Sequence, residues 1–542
     1  MVQDEIIAFL RRPDSHGLAG GDVVACLETH GALVFLAGDY AYKLKRAVHL
    51  PYLDFSTPAK RHAVCRNEIR INRRTAPDLY LGILAVERQA DGQLTLNANA
   101  NTGTDTRADT GAGAGAGAEE VLDWVIKMRR FPDDALLSRV AEAGGLTPRI
   151  VHAVADTIAA FHGAAETSSA WGGADELARI ARSDAGTIAR FTPDLFDPGQ
   201  SGRVARATLA AIEAQRVLLE WRRQNGFVSH THGDLHLANI YLDGNRPTLF
   251  DAIEFDDRLA QNDALYDLAF LLMDLWHRSL RGEANRVFNR YLLRTDDLGG
   301  LPALPLFLSM RAGIRTQVCA ITAAGQNDNT AQGSEAMRED AGRYMDLAAA
   351  ALAPPPPLLV ALGGFSGSGK SHLGAALAPL LGAMPGAVHL RSDEIRKVML
   401  GQDPETPLDQ TAYTSAVSGR VYGQLRHRAG QALEAGHAVI ADAVHNRPDS
   451  RDVLAKLAAR CGVPFLGIWL DVDPALMADR IRRRRGDASE DAMKDASDAD
   501  AGVMQRQVRH GAGKITWRRL DAGAPLAEKV AQVQAWVGAA FR

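Results

Sequence analysis

The eight residues Gly364, Phe365, Ser366, Gly367, Ser368, Gly369, Lys370 and Ser371 constrain the fold of this chain more than any others. They spell G-x-x-x-x-G-K-S. An apolar run, Leu358 to Leu362, precedes them, and a helix-like run, His372 to Leu381, follows. A strand that turns through glycines into a helix is the frame of a phosphate-binding loop. Its glycines let backbone N–H groups curl around phosphate oxygens. Gly364, Ser366, Gly367, Ser368 and Gly369 are read as that cradle, Lys370 as the contact to the β- and γ-phosphates, and Ser371 as a Mg²⁺ ligand. ATP and Mg²⁺ are thus the expected cofactors.

The rest of the chain is long enough to hold more than this one unit. At 542 residues it corresponds to roughly three to four compact bodies. A hydrophobic content of 46% lets each bury an ordinary core. The net charge of −4 gives no global attraction to nucleic acid or to an anionic membrane. Cys26, Cys65, Cys319 and Cys461 lie far apart with no metal-ligand spacing, so they read as reduced thiols. The first residues, MVQDEIIAFLRRPD, lack the apolar core of a signal peptide, and no run reaches the ~18 apolar residues of a membrane span. A cytoplasmic enzyme without a membrane partner is the expectation.

Four consecutive prolines at 354–357 cannot continue a helix and favour a stiff extended segment. They place the main boundary: 1–352, a linker at 353–357, and 358–542. Residues 97–118, NANANTGTDTRADTGAGAGAGA, hold no aromatic or large aliphatic side chain and read as a disordered insertion between strand-like runs Tyr80–Val86 and Val121–Met128. Before it, 23–50 alternates as a hairpin around Gly38-Asp39, and 59–75 has helical spacing. After it, 134–225 reads as helices, 227–256 as a short strand-rich segment, and the rest to about 350 as helices. That order predicts an α+β bilobal module, with an N-lobe over about 1–127 and a C-lobe over about 128–352. Beyond the prolines, strand-like runs at 358–363, 387–391, 437–442, 465–471 and 514–519 alternate with helices, which predicts an α/β domain with a parallel sheet covered on both faces.

In the strand-rich segment, Thr231-His232-Gly233-Asp234-Leu235-His236-Leu237-Ala238-Asn239 is followed by Leu249-Phe250-Asp251. An Asp and an Asn five apart on a tight loop, with a second Asp on the next strand, suit nucleotide chemistry. Asp234 takes the proton of an acceptor hydroxyl, and Asn239 and Asp251 hold Mg²⁺. H-G-D-x-H-x-x-N resembles the catalytic loop of the aminoglycoside phosphotransferase and choline kinase-like group, relatives of protein kinases. The resemblance covers about 23–350. It implies a bilobal kinase-like fold, Asp234 as catalytic base, and Asn239 and Asp251 as metal ligands. Tyr40-Ala41-Tyr42-Lys43 resembles the third-strand V-A-I-K, which makes Lys43 the candidate phosphate lysine and Glu68 its ion-pair partner; Lys45 points to the same face and stays a candidate. Val125-Ile126-Lys127-Met128 falls where the family has its adenine-contacting hinge. Asp251 is followed by Ala252-Ile253 rather than Phe-Gly, and no G-x-G-x-x-G precedes Lys43; only His30-Gly31 and Gly38 are available. His232 is read as structural. Asp267 either braces the loop or sits on a solvated helix face.

Three features follow the phosphate loop. Asp393, in Arg391-Ser392-Asp393-Glu394-Ile395-Arg396, closes the second strand and is a candidate base with Arg396 positioning an anion; the alternative is a helix N-cap. Asp442 closes the third strand as a metal carboxylate. Arg480 and Arg484, four apart, form one face of an Arg-rich lid, although Arg482–Arg485 also read as a solvated helix face. Arg451 is an open candidate for phosphate contact, and Trp517 either flanks adenine or packs in the core. Together these resemble small P-loop kinases: polynucleotide, shikimate and gluconate kinases and zeta-toxin-like phosphotransferases, over about 358–520. The resemblance implies phosphoryl transfer to a small molecule or a nucleic-acid 5′ end. The expectation is a bifunctional ATP-dependent phosphotransferase. The alternatives are that one site only binds nucleotide and regulates the other, or that the second domain is an ATPase.

Overall fold

The computed structural model describes residues 2–29, 31–50, 53–97, 118–325, 331–486 and 497–541. The predicted insertion at 97–118 lies almost wholly outside them, as does His30. The chain divides into two compact units, Met1–Gly145 with Ser229–Asn262, and Leu146–Val228 with Asp263–Arg542.

The first unit is built on an antiparallel sheet of β1 (Ala25–Glu28), β2 (Ala32–Ala37), β3 (Tyr40–Lys45), β4 (Tyr80–Gln89), β5 (Leu94–Asn97) and β6 (Ala118–Arg129) in the order β1-β2-β3-β6-β4-β5. The β2–β3 turn is Gly38-Asp39, with Gly38 at φ +57°, as the hairpin reading required. Each face of the sheet carries a helix. Ile6, Phe9 and Leu10 of α1 (Val2–Leu10) pack on Phe35, Leu44 and Val125. On the other face, Cys65 and Ile69 of α2 (Pro58–Asn72) pack with Ala41, Tyr80 and Ile126. Thr57 caps α2 by accepting the Lys60 N–H, with Pro58 opening the first turn. The two-residue period of β3 puts Lys43 and Lys45 on the face of Ala41, toward α2. The hairpin β7 (Ile240–Asp243) and β8 (Arg246–Leu249) completes the unit, with Tyr241 stacked on Phe131. Val125–Met128 differs from expectation. These residues pair with β3 on one side and β4 on the other, so their backbone groups are committed to the sheet and cannot serve a hinge.

The second unit begins with helices, among them α3 (Pro148–Ala164), α4 (Ala264–His277) and α5 (Arg281–Thr295). Asp263 caps α4 and, with Asp297, holds the fully buried Arg222 in two bidentate pairs. Asp267 is fully buried, 3.1 Å from His162 Nε2, so it stands on no solvated face. The same unit contains a five-stranded parallel sheet: β9 (Leu359–Gly363), β10 (Val388–Arg391), β11 (Val439–Asp442), β12 (Phe465–Asp471) and β13 (Arg518–Asp521), ordered β10-β11-β9-β12-β13. Every residue of the central β9 is buried, the signature of a strand covered on both faces. An α+β module and an α/β domain with a parallel sheet are therefore both present, as the patterning predicted.

Candidate active sites

The first site is assembled around a loop that its neighbours hold rigidly. His232 is buried and donates from Nε2 to the Phe250 carbonyl at 2.9 Å, while its own carbonyl accepts the Ile253 N–H. Gly233 sits at φ +81°, where a Cβ would meet Ile253 Cδ1 at 3.0 Å and the Leu259 carbonyl at 3.1 Å. Asn239 Nδ2 donates to Asp234 Oδ2 at 3.0 Å and to the Asp234 carbonyl at 2.9 Å, and His236 Nε2 lies 3.4 Å from the same carboxylate. Asp234 is thus aimed but left partly exposed. The Asn239 carbonyl accepts the Phe250 N–H, which carries the chain on to Asp251. Asp251 occupies φ +61°, a conformation held by Tyr80 Oη on its N–H and by Asn72 Oδ1 on the next.

A buried charge cluster completes this site. Lys43 Nζ lies 2.8 Å from Glu68 and 2.5 Å from Asp251. Lys45 Nζ lies 2.5 Å from both Glu68 and Glu254. Burial pushes the Asp251 carboxyl up, but Lys43 outweighs it and holds the group below the ordinary carboxylate range. Burial likewise pushes Lys43 down, and Asp251 and Glu68 more than offset it. Burial raises Glu254 against the pull of Lys45. The structure brings together Lys43, Glu68, Asp234, Asn239 and Asp251. Glu254, Tyr80 and Asn72 were missed; Glu254 follows Asp251 by three residues but carries no motif of its own.

The second site lines a cavity of 1140 Å³ that includes Ser366, Gly367, Gly369, Lys370, Ser371, Asp393, Arg396, Asp442 and Arg480. Gly364, Gly367 and Gly369 all have positive φ, and a Cβ on Gly367 would reach the Met477 carbonyl at 2.9 Å. Gly369 caps α6 (Lys370–Leu377), so the loop opens directly into a helix. Ser368 is buried in the loop. Lys370 Nζ donates to the Phe365 carbonyl at 3.1 Å, and Arg480 donates to the carbonyls of Ser368 and Ala522. Asp442 ends β11 with His389 Nε2 at 3.3 Å; burial pushes its carboxyl up, but the His389 hydrogen bond and charge hold it well below the usual range.

Several expectations change here. Asp393 is not the N-cap of α7 (Ser392–Met399); Arg391 is, and Asp393 stands in the first turn facing the cavity. Arg396 lines the cavity while also donating to the Ala412 carbonyl and standing 4.7 Å from the Tyr413 ring. Arg451 is buried and spends its guanidinium on the carbonyls of His445, Ala512 and Lys514, so it braces loops and contacts no phosphate space. Trp517, half-buried, packs over Gly363 and Gly467 and does not line the cavity. Arg482 and Arg483 are exposed and pair with Asp479, while the Arg484 side chain lies outside the described residues. One contact had no sequence signal: Gln507, on α10 (Ala501–His510), accepts the Ser366 N–H at 2.8 Å. α8 (Ser415–Glu434) and α9 (Pro474–Gly486) supply further walls of the cavity.

Among the described residues, no cluster of three or more His, Cys, Asp and Glu would hold a metal unaided. The oxygen donors of Asn239 with Asp251, and of Ser371 with Asp442, suit Mg²⁺ that takes its other ligands from phosphate and water.

Residues 128–304 match the family model of the phosphotransferase enzyme family, and residues 359–511 match that of an AAA domain. One chain thus carries a phosphotransferase-type kinase domain and a P-loop kinase-like domain. An uncharacterized protein of Mycobacterium tuberculosis is 27% identical over 529 residues, 96% of each chain, and one of Mycobacterium bovis matches equally. Among solved structures, a choline/ethanolamine kinase family protein from Mesorhizobium loti is similar at 15% identity, covering 65% of this chain and 99% of that one, with a TM-score of 0.36. A gluconokinase from Sinorhizobium meliloti is similar at 23% identity, covering 33% and 90%, with a TM-score of 0.24.

Proposed function

We propose that this chain is a bifunctional Mg-ATP-dependent phosphotransferase, with functional modules at 1–352 and 358–542 joined by the prolines at 353–357. Two observations carry the reading: in the first unit the meeting of Lys43, Glu68 and Asp251 at one point, and in the second a glycine cradle that opens into the helix of Lys370. In the first module, Asp234 accepts the proton of an acceptor hydroxyl, Lys43 pairs with the α- and β-phosphates, and Asn239 and Asp251 hold the metal. Lys43 is preferred to Lys45 because its second partner is the metal-site carboxylate, whereas Lys45 is committed to Glu254. In the second module, Asp393 accepts the proton, Lys370 and the loop amides grip the phosphates, Ser371 and Asp442 hold the metal, and Arg396, Arg480 and Arg484 neutralise charge. Bound Mg-ATP supplies the phosphoryl group and the charge neutralisation; the side chains position it and exclude water. The acceptors are small hydroxyl compounds, with a nucleic-acid 5′ end as the other candidate for the second module. Both modules act in the cytoplasm on this reading.

The test follows γ-labelled phosphate from ATP onto sugars, amino alcohols, nucleosides and 5′-hydroxyl oligonucleotides. Asp234→Ala and Lys370→Ala should each abolish transfer to a different acceptor. If either leaves every product unchanged, that site is not a kinase.

A further inference from the structure

We infer that Asn289 of α5, a helix inside the phosphotransferase-matched segment, is a positioning residue for the P-loop site, acting through His389 on the carboxylate of Asp442. The inference rests on the reading of Asp442 as that site's metal carboxylate.

β10 is the outermost strand of the parallel sheet. An outermost parallel strand presents unpaired N–H and C=O groups on its free side. Val388 donates to the Ala438 carbonyl on the inner side, so the free side carries the Ala387 carbonyl and the His389 N–H. Those two groups are met by one carboxamide. Asn289 Oδ1 accepts the His389 N–H at 2.7 Å, and Asn289 Nδ2 donates to the Ala387 carbonyl at 3.2 Å. A single side-chain amide thereby does what the peptide group of another strand would do.

The arrangement is supported from behind. Asn285, one turn earlier and buried, donates to the carbonyls of Pro385 and Ala387, each at 3.1 Å, and its own carbonyl and Oδ1 accept from Asn289 Nδ2 at 3.0 Å. Gly386 adopts φ +110°, and a Cβ there would stand 2.8 Å from Asn285 Nδ2, so the approach needs glycine at that position. Ion pairs pin the C-terminal end of the same helix: Arg294 to Asp403 at 2.7 Å, and Arg428 to Asp296 at 2.5 Å.

The residue so clamped touches the carboxylate, which Arg391 Nε also approaches at 3.9 Å. The His389 side chain is 8% exposed, with Nε2 3.3 Å from Asp442 Oδ2. Its ring also lies against α6, where a Cβ on Gly374 would fall 2.4 Å from Nε2. His389 therefore fills the gap between the helix that follows the phosphate loop and the strand that ends in Asp442. Its backbone position sets where its ring sits, and Asn289 sets that backbone position. Groups placed behind a metal ligand tune its orientation, and their loss weakens metal binding by about 10- to 100-fold.

The experiment uses the full chain with Asn239→Ala and Asp251→Asn, which remove the ligands of the first site. Mn²⁺ is titrated by electron paramagnetic resonance in the presence of a non-hydrolysable ATP analogue. Asp442→Asn should weaken the remaining Mn²⁺ site; if it does not, the Asp442 reading fails and the inference with it. Given that control, Asn289→Leu and His389→Leu should each weaken Mn²⁺ about tenfold or more, and His389→Gln, which keeps a donor, should recover most of the loss. Asn289→Ser carries the same expectation if Asn289→Leu does not fold. Unchanged Mn²⁺ affinity in the folded Asn289 variants, with Asp442→Asn impaired, overturns the inference alone.

Discussion

Lys43 and Asp251, 208 residues apart in sequence, are joined by a 2.5 Å ion pair. Glu68 holds the same ammonium from α2, and its other oxygen holds Lys45. The two lysines therefore share one carboxylate but differ in the second. On the proposed reading, that difference separates a phosphate-facing lysine from a structural one.

Lys43→Met and Lys45→Met should part accordingly. With the P-loop site silenced by Lys370→Ala, Lys43→Met is expected to lower first-site kcat/KM for ATP by about 100-fold. Its stability cost is smaller, because Lys45 still neutralises Glu68 and the Asp251 side chain, 40% exposed, can be hydrated, whereas Glu254 is 8% exposed. Lys45→Met strands Glu254 and should cost about 3–5 kcal/mol in urea unfolding. Equal effects of the two changes on unfolding would refute the assignment.

Gln507 occupies the Ser366 amide, which the proposed function assigns to a phosphate oxygen. Ser366 N–H can serve nucleotide only after that 2.8 Å contact opens. Gln507→Ala should therefore tighten ATP binding at the second site by about fivefold, the worth of one net hydrogen bond of about 1 kcal/mol. Calorimetric titration of ATP into the chain carrying Asn239→Ala and Asp251→Asn, which remove the metal ligands of the first site, checks this, and weaker binding would mean that Gln507 helps to hold the nucleotide.

Arg451→Met should act on stability and leave nucleotide affinity intact. Three backbone carbonyls lose a charged donor, a cost of roughly 2–4 kcal/mol. The measurement pairs chemical unfolding with ATP titration. A raised Kd for ATP with unchanged stability would restore the phosphate-contact reading.

Asp184 gives the chain a pH-dependent liability. Burial pushes its carboxyl from an ordinary 3.8 up to about 7, against a 2.7 Å hydrogen bond from Gln317. With the folded value above the unfolded one, the stability tied to this group is full below about pH 4 and falls as pH rises toward 7. Asp184→Asn keeps the Gln317 bond and carries no charge. It should gain roughly 2–4 kcal/mol at pH 8 and almost nothing at pH 4. Unfolding at the two pH values decides it.

Local sequence was enough to read much of this protein. The glycine loop, Asp234 with Asn239, and Asp442 at a strand end are legible because their chemistry depends on neighbours a few residues away. Four of the five strands around the P-loop were legible for the same reason, since a covered strand must be a short apolar run; the edge strand, expected at 514–519, forms instead at Arg518–Asp521, where only Leu520 is buried. Tertiary structure alone decided the rest. A two-residue period puts Lys43 and Lys45 on one face and cannot rank them; the carboxylates facing them from Glu68, Asp251 and Glu254 can. A lone arginine carries no mark of its partners, so only packing shows that Arg451 braces loops. Asn289 looks like any polar helix residue until an unpaired strand edge is laid against it. Short-range geometry is written in spacing, whereas the partners of a long side chain are chosen by whichever distant segments the fold brings within about 3 Å of it.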